Sequence, residues 1–258
     1  RGAPAVHRRF AAAHTERVGG IEGVAVAKRE LVEALPPSGT AILNADDHRV
    51  AAMAAHTPAA VVTYGLGGDV RVSALVLDEL ARPSFRIDTP WGSADVRLAV
   101  SGEHMASNAA AALAAAGVVE GTIDAAVEAL ASTTISGMRM EVTRAPSGAI
   151  IVNDAYNANP DSMRAALRAL ANITADRRVA IVGLMAELDD PAAGHRAVVA
   201  VAGELGIELI ATGTDLYGVD PVEDPLAALG PVGAGDAVLV KASRVAGLDR
   251  LATELTGR

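Results

Sequence analysis

The chain has 258 residues, of which 51% are apolar and none is cysteine, and its formal net charge at pH 7 is -9. This length is enough to bury one large core or two smaller ones, and two domains are expected. The negative charge, without a run of Lys or Arg, excludes the positive surface that a nucleic-acid-binding protein needs.

The sequence also argues against a membrane-embedded protein. Its most apolar stretch, MASNAAAALAAAGVV at residues 105–119, is shorter than the roughly 20 residues that span a bilayer. The segment RGAPAVHRRF carries charge but no apolar region typical of a signal peptide. We therefore expect a cytoplasmic protein, and the lack of cysteine is consistent with that compartment.

The first half of the sequence predicts helices, two separate strands and a set of antiparallel hairpins. The first predicted helix, IEGVAVAKRELVEAL, has helical spacing and ends at PPSG. The strand TAILNADD follows and runs into an acidic turn. A second helix, HRVAAMAAH, and a second strand, AAVVTYG, come next. Residues 69–100 alternate with a period of two, broken by Pro and Gly, which predicts antiparallel hairpins. An Ala-rich helix follows and begins at SGEHMASN.

The second half alternates strands and helices regularly. The predicted strands are AIIVND, RRVAIVGL, IELIATG and DAVLVKAS, and the predicted helices are DSMRAALRALANI, GHRAVVAVAGELG, PLAALG and AGLDRLATELT. This order predicts an open, mostly parallel sheet with helices on both faces. Because the pattern restarts near residue 140, we expect one domain at residues 1–140 and a second at residues 141–258.

One segment at a strand end, NDAYNANPDSM at residues 153–163, combines turn and ligand-binding chemistry. Asn159 followed by Pro160 is typical of a helix start with an Asn cap. A capped turn does not account for Asp154, Tyr156 and Asn157 together. In open parallel sheets, ligands meet the loops at the carboxyl ends of the strands. These three side chains offer the donors and acceptors that the hydroxyls and ring nitrogens of a nucleoside need.

Three further places offer weaker signals, each with a structural alternative. LNADD at residues 43–47 ends a strand with two acids, which also suits a solvated turn or a helix cap. His104 and Asn108 are four residues apart and share a helix face, although a His near a helix start is commonly a cap. Lys28 interrupts the apolar run VAVAKREL, where a lysine side chain ordinarily reaches past its neighbours to solvent.

Basic residues lie at the predicted domain boundary and at the last strand end. Arg139 in SGMRMEV is suited to bidentate binding of a phosphate, although an exposed arginine without a ligand is commoner. Lys241, Ser243 and Arg244 directly follow the apolar run VLV, at a strand end where ligands bind in such sheets.

Several segments occur together in an order that resembles a known family. They are AKRELVEALPPSGTAILNADDHRVAAMA, SGEHMASNAAAALAAA, RME, VNDAYNANPDSMRAAL, GLMAEL and VLVKASR. Together they resemble the Mur ligase family, and within it the type that adds D-alanyl-D-alanine to UDP-N-acetylmuramoyl-tripeptide. The resemblance implies an α/β fold: a central ATPase domain with a mixed sheet, followed by a C-terminal Rossmann-like domain with a mostly parallel sheet.

The family also implies a phosphate-binding loop, G-x-x-G-K-[ST], and no such run occurs in the 258 residues. The resemblance therefore predicts that the chain is a fragment lacking the N-terminal domain and this loop. It further predicts that this fragment alone does not turn over ATP.

Residue by residue, the resemblance implies a metal site and a nucleotide site. His14 resembles a metal-associated histidine, and Lys28 resembles the lysine that becomes carbamylated and helps to hold Mg²⁺. Asn108 resembles an adenine-contacting asparagine, and Asp154 and Arg139 resemble residues that contact the ribose and the phosphates.

The same comparison implies the remaining site residues. Tyr156, Asn157 and Asn159 are expected near the nucleotide. Asn159 is also expected at the substrate, with Ser243 and Arg244, where the acyl acceptor or the developing phosphate charge lies. We assign catalytic roles to Lys28, Arg139 and Lys241.

The activity implied is a two-step ligation with ATP and Mg²⁺ as cofactors. The substrates would be UDP-MurNAc-tripeptide and D-Ala-D-Ala, and the protein is expected to be a monomer. Two alternatives stay open at this point. One is another ligase of the superfamily, either a different Mur ligase or a folylpolyglutamate synthase, and the other is that the chain by itself acts as a non-catalytic binding module.

Overall fold

The computed structural model describes residues 4–7, 20–134, 137–186 and 188–257. Its first sheet is parallel, with the strand order β1 (Pro4–His7), β2 (Thr40–Asn44) and β3 (Ala60–Tyr64). Strand β2 is buried from residue 41 to residue 44, as expected for a central parallel strand. Helices α1 (Gly20–Glu33) and α2 (His48–Ala52) flank it, and a short 3₁₀ turn follows α2.

A separate antiparallel sheet follows, as the period of two predicts. It consists of β4 (Arg71–Leu77), β5 (Pro83–Thr89) and β6 (Gly92–Arg97). Phe85 and Ile87 of β5 are buried while Arg86 between them is exposed. The buried side packs against α3 (His104–Glu120), whose small alanines let the sheet approach closely, and α4 (Asp124–Ser132) follows.

The third sheet has five strands, in the order β10-β9-β11-β8-β7. Its strands are β7 (Glu141–Arg144), β8 (Ile150–Asn153), β9 (Arg177–Val182), β10 (Glu208–Ala211) and β11 (Asp236–Lys241). Four strands are parallel, and β7 is an antiparallel edge. Its helices are α5 (Pro160–Asn172), α6 (Pro191–Glu204), α7 (Pro225–Leu229) and α8 (Asp249–Thr256).

Helices cover both faces of this sheet, which confirms the predicted α/β class. Leu239 of β11 points to the core that contains α5 and α6, whereas Val238 beside it points to the core that contains α7 and α8. The carboxyl ends of β8, β9 and β11 are neighbours, because Val240 is in register with Asn153, and Lys241 with Val182. The loops after these three strands therefore meet at one edge.

Within residues 20–134, 137–186 and 188–257, no helix combines the length and apolar content that crossing a membrane requires.

Gly117 in α3 should not tolerate a side chain. A Cβ at this position would lie 2.1 Å from Cε3 of Trp91. We expect Gly117→Ala to lower the free energy of unfolding by about 1–3 kcal/mol, as overpacking does in other cores. Denaturant unfolding followed by the fluorescence of Trp91, the only tryptophan in the sequence, measures this change.

Gly203 in α6 is the matched control, because a Cβ there meets no atom of the described residues within 4 Å beyond the backbone of its own helix. Gly203→Ala should raise stability by roughly 0.5–1 kcal/mol, the ordinary gain of alanine over glycine in a helix. A Gly117→Ala variant as stable as the parent protein would show that Trp91 can move aside freely.

Candidate functional site at the sheet edge and between the two halves

A buried ion pair joins the ends of β8 and β11. Nζ of Lys241 lies 2.6 Å from Oδ2 of Asp154 and donates also to the carbonyl oxygen of Asn157 at 2.8 Å. The Lys241 side chain is 2% exposed and that of Asp154 13%. The ammonium of Lys241 is therefore bonded to the loop after β8, and its predicted contact with a substrate stays a prediction.

Asp154 also fixes the segment that leads into β7. Its Oδ1 accepts from the backbone N–H of Met140 at 3.0 Å, and the N–H of Tyr156 donates to the carbonyl oxygen of Met138 at 3.0 Å. Both carboxylate oxygens of Asp154 thus have protein partners. Its predicted contact with a ribose stays a prediction, but the structure assigns it a structural role as well.

Tyr156 brings two cationic side chains together at this edge. The guanidinium carbon of Arg139 lies 4.0 Å from the centre of the Tyr156 ring, and that of Arg244 lies 5.7 Å away. Both arginines are exposed, so their outer N–H groups are available to a ligand. The structure thus brings Arg139, Tyr156 and Arg244 together at one place, a grouping that was not predicted, and their ligand contacts stay predictions.

Asn159 and Ser243 both make structural hydrogen bonds. Oδ1 of Asn159 accepts from the N–H of Ser162 at 2.9 Å, and the Asn159 N–H donates to Oγ of Ser162 at 3.0 Å, which forms a capping box at the start of α5. Ser243 is buried, and its Oγ accepts from the N–H of Ala186 and donates to the carbonyl oxygen of Ala158. Their predicted ligand contacts stay predictions.

Asn157 differs from these neighbours because it is exposed. Its Oδ1 accepts from the N–H of Ala158 at 2.8 Å, and its carbonyl oxygen is the one that Lys241 holds. A contact of its amide with a nucleotide stays a prediction.

Beneath the loop after β9 lies a buried histidine that the sequence reading did not identify. Nε2 of His195 accepts from the N–H of Met185 at 2.9 Å, so Nδ1 carries the proton and donates to the carbonyl oxygen of Pro191 at 2.6 Å. The ring of Tyr217 packs edge-on against it, with 4.7 Å between centroids, and its hydroxyl donates to the carbonyl oxygen of Gly183. Burial lowers the pKa of His195, and burial also raises the pKa of Tyr217.

This histidine predicts a loss of stability in mild acid. Because the pKa of His195 is lower in the folded protein than its ordinary value of about 6.5, protons bind preferentially to the unfolded chain below that pH. The contribution of neutral His195 to the free energy of unfolding is complete above pH 6.5. It decreases as the pH falls toward the pKa of the folded state, by up to about 1.4 kcal/mol per pH unit. Denaturant unfolding at pH 5 to 7 measures it.

The variant His195→Gln should flatten this dependence, since it removes the titrating ring. His48→Gln is the control, because His48 is exposed at the start of α2. If His195→Gln keeps the slope of the parent protein, another group is responsible.

A second feature is a cavity of about 480 Å³ between the first half of the chain and α5. The first half contributes Asn44, Asp46, Tyr64, Leu66, His104 and Asn108. From the other side α5 contributes Asp161, Arg164 and Arg168, at positions that share one face of the helix. The cavity therefore has apolar walls with amides, carboxylates and guanidiniums at a few positions, which is typical of small-molecule sites.

The cavity places the predicted residues in two groups. Asn108 lines it, as does His104 on the same helix face, whereas Asp154 and Tyr156 do not. Of the two acids in LNADD, Asp46 lines the cavity and accepts from the N–H of Leu66, while Asp47 caps α2. The sequence reading missed the arginines of α5, although their spacing gives that helix a polar face.

The predicted metal ligands are less well defined. His14 lies outside the described residues. Val24 and Val32 of α1 are buried, but Lys28 between them is exposed, as is ordinary for a lysine that reaches past its neighbours to solvent. Its role as a metal ligand stays a prediction. Among the described residues, no cluster of three or more His, Asp or Glu side chains is arranged to hold a metal ion.

Comparison with known proteins gives the family. Residues 4–116 match the Mur ligase middle domain, and residues 138–244 match the Mur ligase, glutamate ligase domain. The UDP-N-acetylmuramoyl-tripeptide–D-alanyl-D-alanine ligase of Mycobacterium tuberculosis is 39% identical over 94% of this chain and 56% of its own length. The chain thus spans little more than half the length of the curated relatives of this kind.

Solved structures agree with this fold. A crystal structure of MurF from Acinetobacter baumannii has a TM-score of 0.87 and 26% identity, and the match covers 99% of this chain and 60% of that one. The MurF ligase from Thermotoga maritima in complex with ADP has a TM-score of 0.86 at 21% identity, covering 98% of this chain and 61% of that one, and it supports the fold alone. Since the two domain models match most of the sequence in the order of the observed sheets, the chain belongs to the Mur ligase family.

Proposed function

We propose that the protein is an ATP-dependent amide ligase that adds D-alanyl-D-alanine to UDP-N-acetylmuramoyl-tripeptide in the synthesis of peptidoglycan precursors. The observation that carries this proposal is the 39% identity to a ligase of that name, together with a cavity between the two halves of the chain. A cytoplasmic location and a monomeric state belong to the proposal through the same resemblance, as does a domain division near residue 140.

The cavity is the proposed site of the adenine ring. Asn108 lines it, and an asparagine amide pairs with adenine through one donor and one acceptor, at N7 and the N6 amino group. The T. maritima relative was solved with ADP, which supports a nucleotide in this family. Because α3 and α5 line opposite sides, a base bound here would join the two halves of the chain.

The exposed arginines are the proposed contacts of the phosphates. Arg139 and Arg244 lie over the ring of Tyr156, outside the cavity lining. Guanidinium groups suit phosphate oxygens because two parallel N–H groups bond two oxygens at once. In the proposed reaction they neutralise charge while the terminal carboxylate of the tripeptide approaches the triphosphate.

The reaction itself has two steps. The γ-phosphoryl group of ATP moves to the terminal carboxylate, which gives ADP and an acyl phosphate. The amine of D-alanyl-D-alanine then attacks the acyl carbon and loses a proton, and phosphate leaves as the amide forms. Positioning and charge neutralisation account for most of the rate enhancement in phosphoryl transfer, and these are what the arginines and the base cavity supply.

Mg²⁺ enters the proposal only through the resemblance. A bound ion would neutralise the triphosphate, with His14 and a carbamylated Lys28 as its proposed partners. Lys28 is exposed, but the described residues add no cluster of donors around it, so the fit is incomplete and no step is derived through the metal.

The test is phosphate release by the full-length protein with UDP-MurNAc-tripeptide and ATP. We expect release to depend on D-alanyl-D-alanine and to be much slower with single amino acids. Equal rates with D-alanine or L-glutamate would contradict the proposed acceptor and favour another ligase of the superfamily.

A further inference from the structure

Two cations share one aromatic ring at the carboxyl edge of the five-stranded sheet. Arg139 and Arg244 lie 4.0 Å and 5.7 Å from the centre of the Tyr156 ring, both within the range of about 6 Å for attraction between a cation and a ring face. They come from distant parts of the sequence, one before β7 and one after β11. The ring of Tyr156 is therefore the contact that these two side chains share.

The two guanidiniums have no counter-charge in the part of the chain that the structure describes. Some arginines elsewhere have carboxylate partners, such as Arg164 with Asp161 and Arg177 with Glu208, but they are not gathered in pairs on one ring. Within the described ranges, neither Arg139 nor Arg244 has a carboxylate within 4 Å. Two like charges held together in this way are stabilised by a bound anion.

The backbone holds Arg139 at the ring. Met138 and Met140 on either side of it have positive φ angles of 63° and 48°, a conformation that costs about 1–3 kcal/mol and persists only where the surroundings determine it. Those surroundings are the bond from the N–H of Tyr156 to Met138 and the bond from the N–H of Met140 to Asp154. Arg139 is thus fixed by the same loop that carries the ring.

Arg244 is fixed from the other side. The preceding residue, Ser243, is buried, and its N–H donates to the carbonyl oxygen of Leu184 at 2.9 Å. Its hydroxyl bonds to Ala186 and Ala158, so the loops after β8, β9 and β11 are joined just before Arg244. The guanidinium of Arg244 itself is exposed, and the ring of Tyr156 is its described contact.

We propose that Tyr156 is a positioning residue whose ring gathers Arg139 and Arg244 into one site for a phosphoryl or carboxylate anion. The ring acts through its negatively polarised face, and its hydroxyl has no part in the role. The inference rests on the proposed function for the identity of the anion, which would be the transferred phosphoryl group. The clustering of the two cations is independent of that identity.

Binding of inorganic pyrophosphate to the 258-residue chain, measured by calorimetry at low salt, tests the site itself. We expect Tyr156→Leu to weaken binding about tenfold, because both cation–ring contacts are lost, and Tyr156→Phe to stay within about twofold of the parent. Arg250→Gln is the control, since Arg250 is an exposed arginine of α8 away from this ring, and it should leave binding unchanged.

Two results would overturn the proposal. One is parental affinity in Tyr156→Leu, and the other is equal weakening in Tyr156→Phe, which would assign the role to the hydroxyl. If Tyr156→Leu does not fold, pentafluorophenylalanine at position 156 keeps the shape of the ring and removes its negative face. Parental affinity in that protein would likewise reject the proposal.

Steady-state kinetics of the full-length protein separate this inference from the proposed ligase activity. Tyr156→Leu should lower kcat with a small effect on KM for D-alanyl-D-alanine, and Tyr156→Phe should restore kcat. If the parent protein has no ligase activity, the proposed function fails, while the pyrophosphate comparison still decides the role of the ring.

Discussion

Replacing Asp154 by alanine should lower the free energy of unfolding by about 3–5 kcal/mol, the usual result of removing one partner of a buried ion pair. Lys241 is 2% exposed, so its ammonium would stay buried without its nearest anion. The N–H of Met140 would lose its acceptor at the same time. Chemical denaturation of the parent protein and the variant measures the difference.

The double variant Asp154→Leu with Lys241→Met distinguishes this cause from loss of packing. Replacing both members of a buried ion pair by apolar residues often leaves the free energy of unfolding nearly unchanged. We therefore expect the double variant to recover much of the stability lost by either single change. Asp161→Ala is the matched control, because its pair with Arg164 is about 40% exposed on both sides and should contribute at most about 1 kcal/mol. A loss equally small in Asp154→Ala would mean that the pair is solvated.

The ion pair also affects the predicted contact between Asp154 and a nucleotide. A contact between Asp154 and a ribose predicts that Asp154→Ala raises KM for ATP. The same rise would follow if the loop with Tyr156 and Asn157 were displaced, since Lys241 and Asp154 hold that loop. Only a double variant that restores stability, yet keeps the raised KM, would assign the effect to the ribose contact.

Periodic patterns were sufficient to predict most of the fold. The alternating strands and helices of residues 149–256 are predicted by short apolar runs, because the strands of a covered parallel sheet are buried on both faces. The antiparallel hairpins of residues 69–100 are predicted by alternation with a period of two, because their strands are buried on one face. Strands β1 and β7 were not predicted, because four residues at a sheet edge carry too little periodicity. Helix α4 was also missed, since none of its nine residues is buried.

The sequence indicated several residues of the candidate site but missed the arginines of α5, and it did not indicate the geometry. Lys241 and Asp154 are 87 positions apart, and their pairing depends on β11 lying next to β8, an order that the sequence does not display. For the same reason, the sequence places Lys241 at a strand end but does not show that its ammonium bonds to Asp154. The cavity between α3 and α5 depends on how the two halves pack, and no single segment contains that information.

Filling that cavity should abolish nucleotide binding. Ala165 of α5 lines it, so Ala165→Trp would place an indole in the volume proposed for the adenine ring. We expect the affinity of the full-length protein for ADP to fall at least about a hundredfold, which corresponds to roughly 2.7 kcal/mol. Isothermal titration with ADP measures it, and Asn108→Ala should give a smaller loss of roughly tenfold, because it removes one amide pair.

Ala200→Trp in α6 is the control, since Ala200 is exposed on a helix that does not line the cavity. It should bind ADP like the parent protein. Unchanged ADP affinity in Ala165→Trp would show that the base lies elsewhere, leaving the arginines around Tyr156 as the described contact for the phosphates. A loss in Ala165→Trp with parental pyrophosphate binding would instead show that the base and phosphate sites are separate, as the two residue groups in the structure imply.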